Sequence, residues 1–129
     1  MLKFAQRKNV KLNCVVVKAP KTKKLVGIWN LNPNPGTHWT CWKIVGDVAY
    51  VFDPLSAPPD GPLERYLYRY VKSIKYNDSK VQADWSERCG EGCIWWLYQL
   101  QKMDYSQAIR LTTKTYDKNE LILLKWINN

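Results

Sequence analysis

Residues 37–53 contain two runs rich in β-branched and aromatic residues, THWTCWKIV and VAYVFD, and the pair Gly46-Asp47 separates them. Two such runs around a Gly-Asp pair predict a β-hairpin with a tight turn. In a hairpin the start of the first strand lies opposite the end of the second strand. The sequence therefore predicts the middle of a β-sheet, and it predicts that residues near 38 and 53 meet at the open end of the hairpin.

The segments around the hairpin supply further strands and loops. Strands are predicted for LNCVVV (12–17), LVGIWNL (25–31) and SIKYN (73–77). Loops are predicted for NPNPG (32–36) and for the polar DSKVQADWSER (78–88), because proline, glycine and short polar residues do not continue a sheet.

Three segments have the pattern of helices. One begins at Pro62, one at Cys89, and one at about Asp117, where Asp117 and Glu120 have the spacing of a capping box. A chain of 129 residues fits one domain. We therefore expect a single α+β domain over residues 1–129, with a mostly antiparallel central sheet flanked by helices.

Hydrophobicity and cysteine content limit where such a chain works. No run of about 20 apolar residues is present, and the first residues include no apolar segment of a secretory signal. We therefore expect no membrane span and no secretion. In a reducing compartment the four cysteines need not pair, and Cys14 and Cys41 are expected to be buried in the core.

The positive charge is concentrated in the first third of the chain. The net charge is +9, and residues 1–46 contain nine Lys or Arg but no Asp or Glu. A basic segment of this kind favours a polyanion such as DNA, bound through its phosphates and without sequence preference. An alternative is a solvated basic surface that only aids solubility. The residues expected to contact nucleic acid are Lys18, Lys21, Lys23 and Lys24.

Cys89 and His38 are the candidates for nucleophilic chemistry. A cysteine nucleophile needs a base, and His38 is the only histidine in the chain. Cys89 follows a polar segment and begins an apolar helical run, so its sulfur would lie at a helix N-terminus, which favours a thiolate. Gly90 beside it would let a substrate backbone approach. Asp53 ends the second strand of the hairpin and can meet His38, although an Asp before a Pro is also a common turn starter.

Four motifs resemble those of adenain and related viral and transposon-encoded cysteine proteases. They are GTHW (36–39), FDP (52–54), Gln82 and CGEGC (89–93), and the likeness covers roughly residues 25–100. They are more distantly similar to proteases that process ubiquitin-like modifiers. The resemblance implies that Cys89 is the nucleophile and His38 the base. It implies further that Asp53 orients His38, that Gln82 and the Cys89 N–H form the oxyanion hole, and that Trp39 and Gly90 line the substrate cleft.

The same resemblance implies a biological role. It implies a monomeric endopeptidase that cleaves capsid or core precursor proteins beside small residues such as Gly, during virion maturation in an infected host cell. It also implies stimulation by DNA and by an activating peptide, with no metal and no cofactor required for the chemistry. Adenain has a Glu at the position of Asp53 and longer flanking segments, so this chain departs from the pattern there.

Three other functions fit parts of the sequence. The first is a protease or isopeptidase for ubiquitin-like modifiers, which would use the same residues. The second is a non-catalytic DNA-binding virion protein that uses only the basic segment. The third is a zinc module built from Cys89, Cys93, His38 and either Cys14 or Cys41, but this set lacks a second local pair of ligands.

Overall fold

The computed structural model describes residues 1–30, 38–54, 61–77, 89–111 and 116–129, without the side chains of residues 116 and 117. Within these ranges the helices are α1 (Leu2–Arg7), α2 (Gly61–Tyr68), α3 (Cys89–Leu100), α4 (Tyr105–Arg110) and α5 (Tyr116–Ile127). The strands are β1 (Cys14–Val16), β2 (Val26–Asn30), β3 (Trp39–Val45), β4 (Val48–Phe52) and β5 (Ser73–Tyr76).

The strands form one sheet in the order β1-β2-β3-β4-β5. The predicted α+β class is confirmed. The antiparallel pairing holds for the three central strands, whereas β1 joins β2 and β5 joins β4 in parallel. Parallel neighbours require a crossover connection, and for β4 and β5 helix α2 lies in that connection.

The predicted hairpin consists of β3 and β4. Its register runs from Val45 opposite Val48 to Cys41 opposite Phe52. Gly46 in the turn has a φ of 59°, in the left-handed region that favours glycine. The hairpin prediction is therefore confirmed, including the residue that makes the turn.

Alternate residues of the hairpin contact helices on opposite faces of the sheet. Cys41 and Phe52 belong to a core that includes the α3 residues, and the Phe52 ring stacks on Trp96 with centroids 5.0 Å apart. Trp42 and Val51 belong to a second core that includes the α2 residues Leu63, Tyr66 and Leu67. We call these the α3 face and the α2 face of the sheet.

The predicted helices α2, α3 and α5 are present, and α5 begins at Tyr116, one residue before the predicted start. Helices α1 and α4 are additional to the predicted set, and α4 begins with a capping box between Asp104 and Gln107. The predicted loops 32–36 and 78–88 and the side chain of Asp117 lie outside the described residues. In the described part of the chain, no helix has the length and apolar character needed to cross a membrane.

Candidate active site

His38 and Asp53 lie together at the open end of the hairpin. His38 immediately precedes β3, and Asp53 immediately follows β4. The Nε2 atom of His38 is 2.7 Å from Oδ2 of Asp53. The Asp53 residue is 1% exposed, whereas the His38 side chain keeps 21% of its surface exposed. The carboxylate therefore holds one ring nitrogen while an edge of the ring stays open to solvent.

The sulfur of Cys89 lies on the other side of the His38 ring. Cys89 is the first residue of α3, and its Sγ is 3.5 Å from Nδ1 of His38. The backbone N–H of Trp39 donates to the same sulfur over 3.2 Å. The packing of α3 on β3 thus completes a line of sulfur, imidazole and carboxylate, although the contact between Cys89 and His38 spans 51 residues of sequence.

Asp53 is the main influence on the protonation of His38. Its hydrogen bond, followed by that of Cys89, raises the pKa of His38 from 6.5 to about 10, against the opposing effect of burial. An adjacent carboxylate stabilises the imidazolium, since opposite charges attract strongly where water is partly excluded. With the Nε2–H donated to Asp53, Nδ1 is the ring nitrogen that faces the sulfur.

The surroundings of Cys89 favour the thiol. A hydrogen bond with Cys93 and burial raise the pKa of Cys89, and the contact with His38 offsets them only in part. Both sulfurs face the carbonyl oxygen of Trp39, at 2.9 Å for Cys89 and 3.4 Å for Cys93. A carbonyl accepts from S–H but repels a thiolate. These effects act against the predicted preference of a helix N-terminus for the thiolate.

Two side chains hold the peptide that leads into Asp53. The hydroxyl of Thr40 in β3 donates to the carbonyl of Phe52 over 3.0 Å. On the other side, the Asp53 N–H donates to Oδ1 of Asn77 over 2.9 Å. Sequence reasoning missed Asn77, which it treated only as the last residue of a strand. The available signal was a polar residue at the end of SIKYN, one strand away from Asp53.

Trp39 and Gly90 contact each other beside the sulfur. A Cβ atom on Gly90 would lie 3.0 Å from Cδ1 of Trp39 and would overlap the terminal methyl group of Met1. A Cβ at residue 90 would therefore crowd the Trp39 indole, and the predicted approach of a substrate backbone to Gly90 stays a prediction. The groups that approach it in the structure are the indole of Trp39 and the side chain of Met1.

The remaining predicted site residues lie away from Cys89, His38 and Asp53 or fall outside the described ranges. Gln82 lies outside the described residues. Lys18, Lys21 and Lys23 are exposed and Lys24 is half-buried, all in the connection between β1 and β2. Tyr66 of α2 accepts from the backbone of Lys24, so this connection covers the α2 face, away from α3.

The cysteines support no metal site. All four are free thiols, and Cys41 and Cys93 are fully buried beside α3, as expected for core residues. Cys14 packs instead against the core of the α2 face. Among the described residues, no three His, Cys, Asp or Glu side chains are grouped so that they could hold a metal ion. The zinc alternative therefore has no support in this part of the chain.

Comparison with known structures finds the same fold in a protease. The chain is similar to the pS273R protease of ASFV in a selenomethionine crystal form, with 20% identity and a TM-score of 0.54 over 92% of this chain and 49% of that one. A second crystal structure of the ASFV pS273R protease gives 23% identity and a TM-score of 0.53 over 91% of this chain and 50% of that one. This chain thus spans about half the length of the solved structures it matches. No family model and no curated protein matches the sequence.

Proposed function

We propose that this chain is a viral cysteine endopeptidase with Cys89 as nucleophile, His38 as general base and acid, and Asp53 as the group that orients His38. The observation that carries the proposal is the continuous contact from sulfur to Nδ1, at 3.5 Å, and from Nε2 to the carboxylate, at 2.7 Å. A nucleophile, a base and an orienting group within hydrogen-bond reach are the geometric requirement for acyl transfer. The fold shared with a protease adds independent support.

In the acylation step, the Cys89–His38 pair carries one proton, which lies on Nδ1 of His38 as the sulfur attacks the scissile carbonyl carbon. The C–S bond forms and the carbonyl oxygen becomes an oxyanion. The His38 imidazolium, held by Asp53, then gives its proton to the leaving amine as the C–N bond breaks.

In the deacylation step, His38 takes a proton from a water molecule, and the resulting hydroxide attacks the thioester. The C–S bond breaks, the carboxylic acid product leaves, and the thiol is restored. The oxyanion in both steps needs donors aimed at it. The backbone N–H of Cys89 at the start of α3 suits this role, and the resemblance to adenain assigns a second donor to Gln82.

The proposed substrates are capsid or core precursor proteins, cleaved beside small residues such as Gly in an assembling virion within an infected cell. This choice rests on the GTHW, FDP and CGEGC motifs and on the shared fold with an ASFV protease. Trp39 and Gly90 are proposed to line the cleft, because they contact each other next to the sulfur. The alternative substrates are ubiquitin-like modifiers and their conjugates, which the same mechanism would cleave.

The test combines active-site labelling with cleavage. Wild-type protein is treated with a Gly-Gly peptide vinyl sulfone and analysed by intact mass and peptide mapping, and capsid precursors and ubiquitin-like conjugates are offered separately as substrates. We expect one label on Cys89 and cleavage of the capsid precursors. Cys89→Ala should lose both, with at least a 10³-fold fall in rate. Cys14→Ala is the matched control, since Cys14 lies on the α2 face, and it should retain both.

Two results would overturn the assignment. One is labelling at Cys14 or Cys41 in place of Cys89, and the other is cleavage that survives in Cys89→Ala. Cleavage of ubiquitin-like conjugates alone would keep the mechanism and replace the proposed substrate class. Full biological activity of Cys89→Ala would favour the non-catalytic DNA-binding alternative.

DNA is proposed as a non-specific partner and stimulator of the enzyme, and an activating peptide is proposed from the resemblance alone. The exposed Lys18, Lys21 and Lys23 support the DNA contact, because they lie in one connection outside the active site. Replacing these three by Ala should weaken binding to any duplex sequence alike and reduce its salt dependence. Fluorescence anisotropy with two unrelated duplexes at several salt concentrations measures this. Sequence-dependent or salt-independent binding would contradict the proposal.

A further inference from the structure

Asn77 makes a reciprocal pair of hydrogen bonds with the backbone of one residue of the candidate site. Its Oδ1 accepts from the Asp53 N–H over 2.9 Å. Its Nδ2 donates to the Asp53 carbonyl oxygen over 2.6 Å. Asn77 is 2% exposed and Asp53 is 1% exposed, so both bonds are shielded from water. Shielded bonds of this kind fix a backbone more firmly than exposed ones.

The contact lies where the strand pairing stops. The register between β4 and β5 ends with Val51 opposite Tyr76, and Asp53 lies beyond it. Asn77 is the residue after β5, and its side chain continues the pairing that the backbone has ended. From the opposite strand, Thr40 donates to the carbonyl of Phe52, which belongs to the same peptide group as the Asp53 N–H. The peptide that carries the Asp53 side chain is therefore held from two sides.

We propose that Asn77 is a positioning residue for the reaction, which fixes the Asp53 backbone so that the carboxylate stays in contact with Nε2 of His38. This inference rests on the proposed function, because it concerns the orientation of the proposed base. Asn77 contacts the backbone of Asp53 and acts on His38 only through it. A shift of about 1 Å in an orienting group is enough to lower a rate by as much as 10²-fold.

The amide of asparagine suits this position better than its isosteres. It presents an acceptor and a donor on one short side chain, and the Asp53 backbone uses both. A leucine of the same size would leave the N–H and the carbonyl of Asp53 buried without these partners. An aspartate could accept from the N–H but would repel the carbonyl oxygen and add a second charge close to Asp53.

The first experiment separates positioning from stability. Asn77→Leu and Asn77→Asp are compared with Tyr66→Phe, which removes a buried hydroxyl that accepts from Lys24 and donates to Thr22 on the α2 face. We expect the Asn77 variants to lower kcat by about 10- to 100-fold with little change in KM. Tyr66→Phe should lower the melting temperature comparably and leave kcat within twofold of wild type.

The second experiment measures the effect of Asn77 on the protonation of His38 and does not require an active enzyme. His38 is the only histidine, so its imidazole nitrogens give an unambiguous NMR titration. In a Cys89→Ala background the contact with Asp53 still raises the pKa of His38. Relative to that background alone, we expect both Asn77→Leu and Asn77→Asp to shift the pKa of His38, toward 6.5 in the Leu variant. Tyr66→Phe in the same background should not shift it.

The outcomes distinguish this inference from the proposed function. If wild type has no peptidase activity, the proposed function fails, and an altered His38 titration in the Asn77 variants still supports the positioning role. If wild type is active but the Asn77 variants keep its kcat and its His38 titration, the positioning role is refuted. If Tyr66→Phe loses as much kcat as the Asn77 variants for a comparable fall in melting temperature, the positioning role is also refuted. If Asn77→Leu does not fold, the isosteric Asn77→Asp decides between these results.

Discussion

The two ends of the β3–β4 hairpin differ in what holds them. At the closed end, the turn residues Gly46 and Asp47 are exposed, and the Asp47 carbonyl accepts from the backbone N–H groups of Lys72 and Ser73. At the open end, buried or half-buried side chains of His38, Asp53 and their neighbours make the contacts.

The difference separates a region held by backbone bonds from a region held by particular side chains. The closed end depends on backbone conformation and on bonds that most side chains leave intact. The open end depends on the identity of individual side chains supplied by β3, β4, α3 and the residue after β5. Substitutions at the closed end should therefore change the free energy of unfolding, and substitutions at the open end should change the rate.

The largest contrast is expected from one chemical change made at both ends. Asp53→Asn should lower kcat by about 10²–10⁴-fold, because a neutral amide no longer holds the imidazolium or fixes its tautomer. Asp47→Asn should leave kcat unchanged, since among the described residues the Asp47 carboxylate contacts Lys72, in an exposed ion pair at 3.9 Å. Steady-state hydrolysis of a peptide substrate measures both. An equal fall in kcat for Asp53→Asn and Asp47→Asn would contradict the proposed difference between the two ends of the hairpin.

The His38–Asp53 pair at the open end should make the free energy of unfolding depend on pH. The folded pKa of His38 is raised from 6.5 to about 10, so its ion pair contributes fully below pH 6.5 and is lost as pH rises toward 10. We expect the free energy of unfolding to fall by about 1–2 kcal/mol across this window. This is less than the full pKa shift would give, because the His38 ring is partly solvated. Urea unfolding of wild type and of His38→Gln at several pH values isolates the effect. A constant difference in the free energy of unfolding between the two proteins over this window would contradict the prediction.

The smallest contrast compares one substitution at two glycines. Gly46→Ala should destabilise the fold by about 1 kcal/mol, because a Cβ is unfavourable at a φ of 59°. Gly92→Ala in α3 should stabilise it by up to about 1 kcal/mol, since alanine favours a helix and, among the described residues, the new Cβ would meet Pro54 at an ordinary 3.6 Å. Thermal unfolding measures both. If the two substitutions change the stability in the same direction, the backbone conformation of Gly46 does not determine the stability of the closed end.

Much of the fold and of the site follows from local sequence patterns. The hairpin is predictable because Gly46-Asp47 separates two β-rich runs, and α3 because apolar residues recur from Cys89 onward. The meeting of His38 and Asp53 then follows from hairpin geometry. The roles of the site residues stay predictions, and Gln82 lies outside the described residues.

Other features depend on contacts between distant segments and could not be read locally. The parallel pairing of the outer strands is fixed by packing rather than by any strand's own sequence. The raised pKa of Cys89 depends on Cys93 and on burial in the folded chain. Helix α4 is different, because Asp104 and Gln107 have the spacing of a capping box and could have predicted where the helix begins.

The wide spacing of the site residues along the chain has a consequence for how the molecule folds. The contact between His38 and Asp53 spans 15 residues, whereas that between Cys89 and His38 spans 51. Closing a longer loop costs more entropy and slows the search for the contact. During refolding the hairpin can form early, while the nucleophile meets its base only after α3 has docked. The line of sulfur, imidazole and carboxylate would therefore be completed late in folding.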